Sequence, residues 1–286
     1  MEFPPYTKTY HTTPYPAISP TRPSLSTAGK VVLITGGGTG IGPKIANAFA
    51  ASGATQISIL GRTASSLLST KTDLEAKHPG LKVLTFVADI TSQSAVTHAF
   101  ESTAKAFGPV DILIGNAGLM PDAAPLASTD LDQWMTGFDV NVKGNLILYQ
   151  AFLAHSSPSP TLVHVSTAAA MFPSVPGGLS SYAVSKLAAS KMTDYFAAEN
   201  PRVRVMTVHP GVPDTRMNQK GRDAGIVLPF DDVELSANFI VWIVSPEAEF
   251  LKGKFIWSNW DVDDMIAKKE ELVSSNQLTQ GLLGWP

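Results

Sequence analysis

The chain has 286 residues, 44% hydrophobic and 16% charged, with a formal net charge of −3 and no cysteine. That length suits one large α/β domain with a sizeable core. Lack of cysteine excludes disulfides, thiolate metal sites and a cysteine nucleophile, and the absence of any Lys/Arg cluster excludes an electrostatic footprint for nucleic acid.

Residues 1–28, MEFPPYTKTYHTTPYPAISPTRPSLSTA, are rich in proline. Proline removes a backbone donor and fixes φ, so neither a long helix nor a central strand forms there. The stretch predicts an irregular arm lying on the body or on a neighbouring subunit. It has neither the basic start nor the apolar run of a secretory signal. Nowhere does an uninterrupted apolar run approach the roughly 18 residues of a membrane span. The expectation is a soluble, cytoplasmic protein without a membrane partner.

From Lys30 onward, short apolar runs alternate with longer segments of helical spacing. The strand-like runs are 31–35, 56–60, 82–88, 111–115, 161–166, 202–208 and 254–258. Several are apolar almost throughout, as strands buried on both faces are. The helix-like segments are 42–51, 63–77, 93–107, 131–154, 182–199 and 232–244. This alternation predicts a single-domain, Rossmann-like, doubly wound α/β fold with a seven-stranded, mostly parallel sheet.

The first strand runs into VVLITGGGTGIGPK, where glycines permit a tight turn and close approach of a pyrophosphate to backbone N–H groups and a helix N-terminus. Pro43 falls in the first turn of that helix, where its missing N–H costs little. At the tip of the second strand, ISILGRT, Gly61 stands where an acid would hold the ribose hydroxyls of NAD, and Arg62 follows. An arginine there suits a 2′-phosphate, so the expected cofactor is NADP(H), with NAD(H) as the alternative.

Further along come Asp89 in FVADIT, Asn116-Ala117-Gly118 in IGNAG, Asn141 in DVNVKG, Tyr182-x-x-x-Lys186 in SSYAVSK, and Pro210-Gly211-x-x-x-Thr215 in HPGVPDT. A tyrosine of ordinary pKa about 10 is a poor acid or base near neutrality. A lysine one helical turn on can lower that value through its ammonium. Together with Thr35-Gly36-x-x-x-Gly40-x-Gly42, these motifs resemble the short-chain dehydrogenase/reductase family over Gly29 to about Asp261, leaving 262–286 as a C-terminal extension. The resemblance implies hydride transfer between a nicotinamide cofactor and a carbonyl or secondary alcohol, with Tyr182 and Lys186 catalytic and Asn141 positioning a water. It further implies cofactor contacts from Gly36, Thr39, Gly40, Ile41, Gly42, Arg62, Asp89, Ile90, Asn116, Ala117, Gly118, Tyr182, Lys186, Gly211, Val212 and Thr215. The chain is also similar to fungal members, many of which tailor secondary metabolites. Assembly as a homodimer or homotetramer through 131–154 and 182–199 is implied as well. A related epimerase or dehydratase activity and a non-catalytic cofactor-binding regulator stay open.

The substrate oxygen needs an O–H donor, and Ser166, Thr167, Ser174, Ser180 and Ser181 are the hydroxyls on offer. Alignment on the strand end points to Thr167, with Ser166 directly before it; neighbouring strand residues face opposite ways, so both should not serve. Segments 117–130, 167–181 and 212–231 should bound the substrate. They carry Leu119, Met120, Met171, Phe172, Met217, Leu228 and Phe230, which favours a small apolar carbonyl or alcohol. His164 is expected as a satisfied core residue, His209 as structural, and Trp257 with Trp260 as packing. Asp261, Asp263 and Asp264 should form a solvated face leading into a short helix, and no metal site is expected.

Overall fold

The inner strands of the central sheet carry side chains buried on both faces, whereas the edge strand over Lys82–Val87 is largely half-buried or exposed. The computed structural model describes residues 5–172 and 177–282; Ser174 lies outside them. In β1 (Val31–Thr35) all five residues are buried. Val32 and Ile34 join one core cluster, Val31 and Leu33 the other, as the two-residue period of a strand requires. β2 (Gln56–Gly61), β3 (Lys82–Val87), β4 (Val110–Gly115), β5 (Ser156–Val165), β6 (Arg204–His209) and β7 (Phe255–Trp257) complete a seven-stranded sheet of order 3-2-1-4-5-6-7. Every ladder is parallel. The order reverses between β1 and β4, which opens a crevice beyond their C-terminal ends.

Helices α1 (Gly42–Ala51), α2 (Ala64–Lys77), α3 (Gln93–Phe107), α4 (Leu131–Phe138), α5 (Gly144–His155), α6 (Ser180–Glu199), α7 (Arg216–Asp223), α8 (Val233–Val244), α9 (Val262–Ala267) and α10 (Lys269–Ser274) surround the sheet. Residues of α1, α2 and α8 bury one face, with Phe49 and Trp242 fully enclosed; α3, α5 and α6 bury the other, around Phe100 and Phe152. No helix among the described residues is long and apolar enough to cross a membrane.

Three departures from the sequence expectation have local causes. The helix expected over 131–154 is interrupted by a π turn at Asp139–Lys143, the kind of bulge often found at functional sites. β5 begins at Ser156, five residues before the expected start, because a bulge opposite Val110/Ile112 takes up Pro158 and Pro160. α7, sequence RMNQKGRD, has no apolar periodicity, and its start is marked by Thr215, whose side chain accepts from the Asn218 N–H at 3.3 Å.

The proline-rich arm lies on the body. Two 3-10 turns, Pro16–Ile18 and Pro23–Leu25, each bury one apolar residue completely, Ile18 and Leu25. Arg22 grips Glu247 with two hydrogen bonds, at 2.8 and 3.0 Å. Nearer its start, Tyr10 forms an antiparallel bridge with Trp260, and the His11 N–H donates to the Asn259 carbonyl at 2.7 Å. The acidic cluster is therefore no simple solvated face. Asp264 accepts from the N–H groups of Lys8 and Thr9, and Asp261 both caps α9 and pairs with His11 at 2.8 Å.

Candidate active site

The β1–α1 turn is shaped by glycines for two separate reasons. Gly36 adopts φ +68°, the left-handed region, and a side chain at Gly42 would run into the Gly36 carbonyl. Thr35 ties this turn to the loop after β4: its hydroxyl oxygen accepts from the N–H groups of Asn116 (3.0 Å) and Ala117 (2.9 Å). The Asn116 side chain returns a bond to the Thr35 carbonyl at 2.9 Å. Gly36, Thr39, Gly40 and Ile41 line a cavity at the start of α1, with Gly42 packed behind them. Backbone close enough to be filled by a Cβ, beside a helix N-terminus, fits a dinucleotide pyrophosphate.

At one end of this cavity Arg62 leaves its side chain 71% exposed, 3.9 Å from Asp89. Burial works against the charge of Asp89, but hydrogen bonds from Thr91 and the nearby guanidinium outweigh it and hold the carboxyl below its usual value. Ile90 is buried beside it against Gly144.

Deeper in, α6 presents Tyr182 in its first turn and Lys186 one turn later. The Thr167 hydroxyl lies close enough to the Tyr182 phenol to work against the rise in its pKa, and the phenol oxygen lies 3.7 Å from the Met217 sulfur. Ser166 also borders the cavity, but its hydroxyl is engaged away from the tyrosine, meeting that of Ser190 at 2.8 Å inside the protein. Of the two strand-end hydroxyls, the structure brings Thr167 to the tyrosine.

Lys186 donates to the Val165 carbonyl at 2.9 Å, and burial pulls its pKa down to about 8. Burial raises Tyr182 above its ordinary value, and the nearby Thr167 hydroxyl opposes the rise. Asn141 is wholly buried; its side chain accepts from the Leu119 N–H and donates to the Leu119 carbonyl and Ser185 hydroxyl, all at 2.9 Å. Its own carbonyl accepts from the Asn145 side chain at 2.7 Å. Asn141 is thus a brace for the loop carrying Gly118, and that glycine approaches so closely that a Cβ would lie 3.0 Å from the Lys186 ammonium.

Two histidines sit behind this centre, both held near pKa 3 by burial. His209 accepts from the Ala168 N–H at 3.2 Å. His164 is only half satisfied: Nδ1 meets the Tyr149 hydroxyl at 2.9 Å, while Nε2 is buried without a partner.

Past β6, Gly211 takes φ +76° and packs on Asp231. Asp231 is a buried carboxylate that sequence reasoning missed; it accepts from the Val212 N–H at 2.7 Å. Its position in PFDDVELS, directly before the capping Asp232 of α8, was the available signal. The Pro-Gly loop reaches across the crevice so that the Thr215 methyl faces Gly40.

The cradle, Arg62, Asp89, Thr167, Tyr182, Lys186, His209 and the Pro-Gly loop line one cavity of about 2240 Å³; Asn141 and His164 do not. Leu119, Met120, Phe172, Met217 and Leu228 line it as expected, but Met171 and Phe230 do not. Phe230 instead lies under the Arg222 guanidinium, 4.5 Å from its ring centre. Trp257 and Trp260 are packed together, yet both stand on the cavity wall, joined there by Tyr6, Tyr10 and Thr12 of the arm. Among the described residues, no cluster of three or more histidine and carboxylate groups is arranged to hold a metal ion.

A parallel sheet with its crevice at the β1/β4 switch, a glycine cradle and, on α6, a half-buried tyrosine one turn before a buried lysine define a dinucleotide-dependent oxidoreductase. The short chain dehydrogenase family model matches residues 30–225. A short chain dehydrogenase/reductase of Claviceps purpurea (strain 20.1) is 36% identical, over 97% of this chain and 94% of its own. The Aspergillus aculeatus short chain dehydrogenase/reductase AacuD is 34% identical, over 97% and 96%. Among solved structures, a short chain dehydrogenase from Burkholderia cenocepacia J2315 in complex with NADP superimposes with TM-score 0.73 at 30% identity, over 82% of this chain and 98% of that one. The chain belongs to the short-chain dehydrogenase/reductase family, whose members are NAD(P)-dependent oxidoreductases.

Proposed function

We propose that the protein interconverts a carbonyl compound and a secondary alcohol with NADP(H), using Tyr182 as proton donor and acceptor at the substrate oxygen. The observation that carries this reading is that Tyr182, Thr167 and Lys186 line the same cavity as Arg62 and the glycine cradle. The cradle and the start of α1 would hold the pyrophosphate, Arg62 the 2′-phosphate, and the remaining Lys186 N–H groups the nicotinamide ribose. Bound in this way, the cofactor supplies or accepts the hydride at the substrate carbon.

The chain itself manages the proton. Raised in pKa by burial, the Tyr182 phenol is protonated at neutral pH and donates to an alkoxide as charge develops on the oxygen. Thr167 then donates to the phenolate that remains, which lessens the cost of its charge. In the oxidative direction Tyr182 takes the alcohol proton back. Asn141 and Lys186 keep the Gly118 loop and the end of β5 in place around this pair. NADP in the Burkholderia relative supports the cofactor preference, as does the exposed, loosely paired state of Arg62. Leu131, Met135, Val184 and Leu187, exposed on α4 and α6, suit a homodimer or homotetramer, which sedimentation would measure.

Two substitutions test the assignment. Tyr182→Phe should lower kcat by about 10²-fold or more while NADPH binding, followed by fluorescence, stays intact; retained turnover refutes the role of Tyr182. Arg62→Ala should weaken NADPH about ten- to a hundredfold and leave NADH nearly unchanged. Equal losses for both cofactors would move the 2′-phosphate contact elsewhere.

A further inference from the structure

Four aromatic rings from three distant stretches of chain form one row along the cavity wall. Phe172, beyond β5, meets Trp257 edge-on with centroids 5.3 Å apart. Trp257 lies flat on Trp260, 5.5 Å away and only 3° out of parallel. Trp260 touches Tyr6 of the arm at 5.1 Å. All four rings line the cavity, and Tyr10 adds a fifth beside them. The row sits at the reacting end: Phe172 belongs to the loop between Thr167 and Tyr182, and Trp257 packs on His209 just before the Pro-Gly loop.

The arm end of the row is pinned. Lys268 stands 4.1 Å above the Tyr6 ring and donates to the Tyr6 carbonyl at 2.9 Å, while the Tyr6 hydroxyl donates to Gln277 at 2.6 Å. A wall needed only to fill space would be served by Leu or Met. Fixed aromatic rings strengthen a favourable ring pair beyond area burial, and a saturated ring of equal size forgoes that ring–ring gain. Polar neighbours offer little to a sugar, since Asp231 already accepts from Val212 and Ser180 from the Trp134 indole. Tyr10 is the exception: its hydroxyl makes no hydrogen bond among the described residues, and the residue is 44% exposed.

We propose that this row is a substrate subsite for a flat aromatic or conjugated ring system carrying the reacting carbonyl, and that the N-terminal arm is a specificity-determining part of it. The proposal rests on the oxidoreductase reading above and names its substrate class.

Two ketones of one bicyclic skeleton, 1-tetralone and trans-1-decalone, separate the claims. Calorimetric titration into the full-length protein saturated with NADP+ reads ring recognition without turnover, and NADPH consumption reads the chemistry. Tetralone should bind about three- to tenfold more tightly than decalone. That ratio should collapse toward one in Trp257→Leu and in Tyr10→Leu, the latter an exposed position that the fold tolerates, and persist in Tyr10→Phe, which keeps the ring. Equal affinities, no saturable binding of either ketone, or a ratio unmoved in both Leu variants overturns the subsite. A clear ring preference without consumption of NADPH leaves the subsite standing and counts against the oxidoreductase reading. Turnover of both ketones with no ring preference does the reverse.

Discussion

The cofactor end and the substrate end of the cavity are built by different kinds of contact. Around the cradle, residues near in sequence or on adjacent strands hold one another: Thr35 with Asn116 and Ala117, Asp89 with Thr91, Gly42 against Gly36. Around the substrate, the wall depends on residues about as far apart in sequence as the chain allows, such as Lys8 with Asp264 and Tyr6 with Gln277. The first region can be shared by many enzymes because its ligand is common to them. The second can be altered without touching the sheet.

The strongest cut at this contrast falls on the border between the two ends. Thr167→Ala removes the hydroxyl beside Tyr182 and should lower kcat about ten- to a hundredfold, with NADPH affinity unchanged. Ser166→Ala, which breaks only the bond to Ser190, should instead cost about 1 kcal/mol of stability in denaturant melts and leave kcat near wild type. The opposite ranking would mean that the strand end turns its other face to the substrate.

Which hydroxyl lies by the tyrosine was the point that the sequence left between two neighbours. A strand end presents one residue to each side, and chain spacing alone does not say which. The glycine turn and the first turns of α6 were legible because their constraints are local: a glycine where φ is positive, an apolar strand buried on both faces, a lysine four residues after a tyrosine. The arm's irregular course over the body was legible from its prolines, but its pairings with the acidic cluster and the tryptophans were not, since they run across some 250 residues. Polar α7, with no apolar stripe, gave no helical signal at all.

Proton titration gives a second, smaller test. Lys186 has its folded pKa lowered to about 8 from 10.5. If its ammonium is needed in the free enzyme, kcat/KM should fall as pH rises through about 8. Stability should move the other way. Below pH 8 both folded and unfolded states carry the proton, so the burial penalty is constant. Between about 8 and 10.5 the unfolded state binds more protons, and this group adds up to about 3 kcal/mol of stability as pH rises. Lys186→Met should remove that rise from chemical melts taken across the interval; an unchanged profile would mean that the lysine is not buried as a cation.

The mildest expected effect lies in the arm. Asp264→Asn weakens the clasp on Lys8 and Thr9 and should cost about 1 kcal/mol or less. It should raise KM for the carbonyl substrate a few-fold while leaving the Kd for NADPH alone. A matching change in both would mean that the two ends are mechanically one.

The clasp also bears on the order in which the enzyme becomes complete. Residues 6–12 leave the ribosome early, yet their seats on 257–268 are made some 250 residues later. Contacts so distant in sequence form late and slowly. A nascent chain therefore carries the whole β1–α1 cradle well before it possesses the residues that complete the substrate wall.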